Sequence, residues 1–167
     1  MEMNQNIFIC RANSDGDLTD YVTLLSPEIF FSRGLCPEAV VGMLSHSVDS
    51  IERITPDAFS RNRVFVDFMH DVIARKALDD PGFQAAVRQQ HEGYIYIIDQ
   101  RTPDPGGAVP LEDIIGAFKV TGGVSDPSSY WRNPNHVLLS AEHGFFNLGP
   151  NLQKVLLEEL IARYTQH

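Results

Sequence analysis

An arginine at the end of a buried strand can grip a carboxylate or phosphate through two parallel hydrogen bonds. Arg11 stands in that position, directly after the apolar run from Ile7 to Cys10. The competing reading is a surface ion pair with Asp15 or Asp17, an interaction worth little. The six histidines are His46, His70, His91, His136, His143 and His167. A metal centre needs ligands grouped at i, i+4 or carried together by neighbouring strands, and no pair of these histidines has that spacing. His70, beside Asp71 on an expected helix, reads as solvated or hydrogen-bonded. His136 closes the polar turn Asn133-Pro134-Asn135-His136. Loops of that kind carry function, although the same residues also serve purely as turns. The chain holds no G-x-G-x-x-G, P-loop, G-x-S-x-G or H-E-x-x-H motif. That lowers the weight of nucleotide-fold dehydrogenases, NTPases, serine hydrolases and zincins.

The elements that must position these residues belong to a chain of 167 residues, the length of one domain. The expectation is a single domain over 1–167. A composition of 43% apolar, 10% aromatic and 21% charged residues is globular. Thirteen basic and 22 acidic residues give a net charge of −9, which argues against nucleic acid and anionic membranes as partners. It suits a protein partner with a basic face, or simply solubility. Cys10 and Cys36 are too few for a disulfide framework and fit a reducing compartment. No signal-like N-terminus and no membrane-length apolar run is present. The expected location is the cytoplasm, or outside the cell by a route without a recognisable N-terminal signal.

Along the chain, Ile7 to Cys10 reads as a buried strand and Arg11 to Leu18 as a turn-like stretch around Asp15-Gly16. Pro27 to Phe31 leads to a stop at Gly34. Pro37 opens a short helix with Val40, Val41 and Leu44 on one face. Pro56 and Asp57 open a helical region whose apolar stripe is Val64, Phe65, Phe68, Met69, Val72 and Ile73. Asp80-Pro81 restarts helix with Asp80 as cap and Phe83 and Val87 facing inward. Tyr94 to Ile98 is apolar or aromatic on both alternating faces, the pattern of a central strand covered on both sides. Pro103 to Gly107 is a turn. Ile114 to Val120 is a strand with a hairpin at Gly122-Gly123, and Val124 starts the return. Asp126 to Asn135 is irregular, with short strands following at Val137–Leu139 and Phe145–Leu148. From Pro150 a helix places Leu152, Leu156, Leu160 and Tyr164 on one face and lets Glu159 pair with Arg163. These elements make an α+β fold.

The collinear order of ICRANSD, SPEIFFSRGLCP, Tyr94–Ile98, GGAVPLEDIIGAFKVTGG (Gly106 to Gly123) and Asn133–Asn135 resembles the cholera/pertussis-type mono-ADP-ribosyltransferases. The resemblance implies a split β-sandwich with flanking helices and NAD bound in its cleft as a substrate. It implies that Arg11 grips the phosphate side of NAD and that Ser60, in Ala58-Phe59-Ser60, matches the family's Ser-Thr-Ser strand. Tyr94 and Tyr96 either stack on cofactor rings or fill the core. Near the position of the family's catalytic glutamate only Asp99 and Asp104 offer carboxylates, and the resemblance implies that Asp99, or another acid, stabilises the ribosyl cation. The alternative is a non-catalytic binding protein, of immunity or inhibitor type, that meets a basic partner through an acidic surface.

Overall fold

Strand β1 (Phe8–Ser14) and strand β2 (Asp17–Thr23) form an antiparallel hairpin in which Arg11 faces Asp20 and Ser14 faces Asp17. The computed structural model describes residues 7–33, 36–101 and 109–165. Gly34, the turn from Pro103 to Gly107 with Asp104 in it, His167 and the side chain of Tyr164 lie outside the described residues. Asp15 and Gly16 alone make the hairpin turn, with φ of 53° and 90°. Two consecutive left-handed residues are the signature of a type I′ turn, whose twist matches that of the strands and which favours Asp-Gly. The turn-like stretch expected from Arg11 to Leu18 is therefore strand on both sides of a two-residue turn. β1 is an edge strand, with Cys10 buried but Phe8 and Ile9 only half-buried.

The helix expected from Pro37 is one 3-10 turn, Pro37–Ala39, followed by β3 (Val40–Leu44). Proline opens a single turn, and the β-branched pair Val40-Val41 then favours extended backbone. A second 3-10 turn, Pro56–Ala58, leads into β4 (Phe59–Arg61), so helix begins only with α2 (Arg63–Lys76). The four strands run in the order β1-β2-β3-β4, antiparallel throughout. Helix α1 (Pro27–Arg33) lays Phe30 on Cys10, Tyr21 and Val40, with Phe8 and Ala12 at the margin. Along α2 the expected stripe is buried at Phe65, Phe68, Met69, Val72 and Ile73, while Val64 is exposed.

By contact density the chain divides into two compact units, with the division falling inside α2 and inside α4 (Pro150–Thr165). One unit holds the chain up to Met69, Leu139–Gly144 and the chain from Leu157 onward. The other holds His70–Leu138 and Phe145–Leu156.

In the second unit, α3 (Pro81–Gln90) starts as its sequence demands, with Asp80 Oδ2 accepting from Phe83 N at 2.9 Å. Strands β5 (Gly93–Ile98), β6 (Ile114–Val120) and β7 (Trp131–Arg132) form an antiparallel sheet in that order. The expected return at Val124 shrinks to one bridge, Thr121 to Val124. β5 is an edge strand and not the covered central strand expected: Tyr94 is 51% and Tyr96 50% exposed, while Ile97 is buried. Alternation reports that a strand has two faces, but not which side of a sheet it occupies. The other face packs Phe118 against Phe83 and Tyr130, with ring centroids 5.7 and 5.0 Å apart. His70 Nδ1 lies 2.7 Å from the Tyr130 hydroxyl, so His70 is buried and bonded. Outside this unit's sheet, β8 (Leu139–Ser140), which belongs to the first unit, and β9 (Gly144–Phe145), on which the division falls, pair near the positions expected.

Antiparallel sheets and separate helices make this an α+β fold. No helix among the described residues is long and apolar enough to cross a membrane.

Candidate functional site

The four residues singled out for NAD chemistry fall in different units: Arg11 and Ser60 in the first, Tyr94 and Asp99 in the second. Arg11 Nε donates to Asp20 Oδ1 at 2.7 Å and Nη2 to Asp20 Oδ2 at 3.3 Å. Nη2 also donates to Ser47 Oγ at 2.7 Å. The guanidinium fork thus closes on the chain's own carboxylate. Its ion partner is Asp20 instead of Asp15 or Asp17, because the two-residue turn sets Arg11 opposite Asp20. The Arg11 hydrogen bonds hold the Asp20 carboxyl below the usual carboxylate range, against an opposing push from burial.

Ser60 is exposed on β4, the opposite edge of that sheet. Three strand spacings of ~4.8 Å separate the two edges by about 14 Å. Arg11 aligns across the ladders with Asp20, Leu44 and Phe59, so Ser60, one residue on from Phe59, points to the other face of the sheet. These two side chains do not converge.

Asp99, one residue past β5, is 0% exposed. Its Oδ1 accepts from Arg101 N at 3.1 Å and Asn147 N at 2.9 Å. Its Oδ2 meets His136 Nε2 at 2.9 Å and Arg101 Nε at 3.6 Å. A carboxylate oxygen only accepts, so His136 carries its proton on Nε2 in this contact. Arg101 also binds Asp113 Oδ1 through Nε at 3.0 Å, and the carbonyls of Leu138 and Glu112 at 3.2 and 3.1 Å. Asn133 Nδ2 donates to the carbonyls of Leu111 and Ile114, both at 2.8 Å. The Asn-Pro-Asn-His turn is therefore part of a buried polar network with the proposed acid.

Both Asp99 oxygens are occupied from inside the protein, so the arrangement can tie loops together. A carboxylate that stabilises a developing cation must instead present an oxygen to the reacting centre. The sequence reading missed Arg101 and Asp113. The signal was Asp99-x-Arg101 directly after an apolar strand, where charges entering the interior must be paired.

Tyr94 and Tyr96 stand on the exposed face of the second unit's sheet. The ladder aligns Tyr96 with Ala117 and Ala117 with Trp131, which is 47% exposed, and places Lys119 opposite Tyr94. Ala117 itself is buried, flanked by the two aromatic residues. Along the strand's outer side lies a cleft of about 210 Å³. Its lining includes Tyr96, Ile97 and Ile98 from the strand, Gln100 just beyond it, and Asp80 and Asn151 from the starts of α3 and α4. Asp80 Oδ1 accepts from Asn151 Nδ2 at 2.8 Å.

Cys10 and Cys36 are free thiols, and burial pushes both up, which makes them poor nucleophiles. Among the described residues no group of three or more His, Cys, Asp or Glu side chains is placed to hold a metal. Compared with protein-family models, with curated proteins and with solved structures, the chain matched none.

Proposed function

We propose that the chain is a non-catalytic protein-binding domain that meets its partner through the exposed sheet face and edge of the second unit. The observation that carries this reading is the half-exposed aromatic group Tyr94, Tyr96 and Trp131 on one sheet face. Contiguous exposed aromatic surface marks interaction sites, and Tyr and Trp are enriched there. A net charge of −9 supports a partner with a basic contact surface.

The test is affinity capture with the chain and with a Tyr94→Ser/Trp131→Ser variant of matched circular dichroism. A partner retained by the wild type and lost from the variant is expected. Equal retention by both would count against the reading.

A second reading is an ADP-ribosyltransferase-like domain that binds NAD and transfers ADP-ribose to a protein or small molecule. It draws support from Arg11, whose side chain is 52% exposed and held in a fixed orientation by Asp20 and Ser47. It would need Asp99 to leave four internal partners before acting. Calorimetric titration with NAD separates the two readings: saturable binding lost in Arg11→Ala would favour the second.

A further inference from the structure

We infer that the outer edge of β5 is a strand-addition site for an extended, basic peptide segment of the partner; this rests on the protein-binding reading above. In an antiparallel pair the N–H and C=O of successive residues point to alternate sides. In β6, Lys119 N donates to Ser129 Oγ at 3.2 Å and Ile115 O accepts from Asn133 N at 3.0 Å. Both bonds run away from β5. Gly116, Phe118 and Val120 therefore face β5, opposite Ile97, Ile95 and Gly93. The backbone groups of Tyr94, Tyr96 and Ile98 are left pointing outward, and no described residue hydrogen-bonds to them.

The next outward position shows what a covered edge looks like. Gln100 N is taken by Asn147 O at 2.8 Å. The chain then turns away into α4 through Gly149, whose φ is 85° and where a Cβ would lie 2.7 Å from Gln100 Nε2. Cover ends there and the cleft begins, with Tyr96, Ile97 and Ile98 as its strand wall.

Among the described residues, the other edges of the two larger sheets are protected. β1 carries the Arg11–Asp20 ion pair, β4 is three residues long and ends on Arg61, and β7 has two residues. β5 presents six residues without a charge or a proline. Natural sheets guard such edges against unwanted pairing, and an unguarded one is the template used for strand addition.

The occupant follows from the open backbone edge and from charge. Among the described residues Asp80 is the only acidic or basic one in the cleft lining, with its oxygens accepting from Phe83 N and Asn151 Nδ2, and the acidity of the chain as a whole favours a basic occupant. The first turns of α3 and α4 wall the cleft on the side away from the strand. A second copy would have to bring the same walls against these.

The experiment uses the full chain, labelled with nitrogen-15, and a synthetic heptapeptide of alternating Lys and Val with blocked ends. A control peptide has Glu in place of Lys. The amides of Tyr94, Tyr96 and Ile98 should exchange rapidly in the free protein and slow at least tenfold with the Lys peptide, but not with the Glu peptide. Tyr96→Pro removes an outward N–H and no ladder bond, as edge strands tolerate. It should melt within a few degrees of the wild type and lose peptide binding; Ile98→Pro replaces it if it does not fold.

Slow exchange at these amides without peptide, equal protection by the Glu peptide, or unchanged binding by the proline variant would each overturn the proposal. So would concentration-dependent dimerisation that protects the same amides, which would make a second copy the occupant. A captured partner that is lost with Trp131→Ser but kept by Tyr96→Pro would overturn strand addition while leaving the protein-binding reading standing.

Discussion

Two arginine–aspartate pairs of the same chemistry sit in very different surroundings. Arg11 and Asp20 meet on a sheet edge where the arginine is half in water. Arg101 lies between Asp99 and Asp113 with every side chain at most 2% exposed. At the first site solvent screens the attraction, so the pair fixes a rotamer and adds little to stability. At the second the charges have given up their hydration and depend on each other. Proximity of opposite charges therefore says little until burial is known.

The largest expected effect breaks the buried site. Arg101→Met leaves two carboxylates desolvated without their counter-charge and should cost about 3–5 kcal/mol in urea unfolding. A loss below 1 kcal/mol would mean that water reaches the network. Tyr130→Phe is next, because it removes the hydroxyl that meets buried His70; the expected cost is about 1–3 kcal/mol. Burial also pushes the Tyr130 phenol up. A raised acid favours the folded state below its unfolded pKa of about 10 and loses that advantage as pH rises. Wild-type stability should therefore fall above about pH 10, and more gently in Tyr130→Phe.

The exposed pair should respond to acid. Asp20 has a depressed folded pKa, so its contribution is present above the unfolded value of about 3.9 and is lost as pH falls through the folded one. Asp20→Asn should flatten the decline in stability below about pH 4, measured by thermal melts across pH 2–6. Arg11→Ala should have the smallest effect on the melt at neutral pH. A loss as large as that of Arg101→Met would erase the contrast between the two sites.

What the sequence disclosed follows the same division between local and tertiary causes. The Asp80 cap, the α2 stripe, the β6 strand and the Asp15-Gly16 turn are set by neighbours a few residues apart, and they were legible. β3 was misread because Pro37 announces one helical turn as readily as a whole helix, and the decisive Val40-Val41 preference is weak alone. β5 was placed at the sheet centre because an exposed Tyr and a buried Ile alternate as two buried residues do. Arg11 was matched to the wrong acids because its partner depends on hairpin register. Of the site residues, His136 and Asp99 stood out as types, but their contact with each other and with Arg101 needs three loops to meet. No local pattern encodes that meeting.

The span of those contacts also has a kinetic meaning. Asp99 waits 37 residues for His136 and 48 for Asn147, and closing such long loops costs chain entropy before any bond repays it. The network should therefore form after the barrier to folding has been crossed. Arg101→Met would then steepen escape from the native state and leave the rate of reaching it nearly untouched. Stopped-flow chevrons can read this directly, and a slowed folding arm would place the network in the nucleus instead. With the folding arm unchanged, the buried charges act as a latch that lengthens the lifetime of the folded chain without guiding it there.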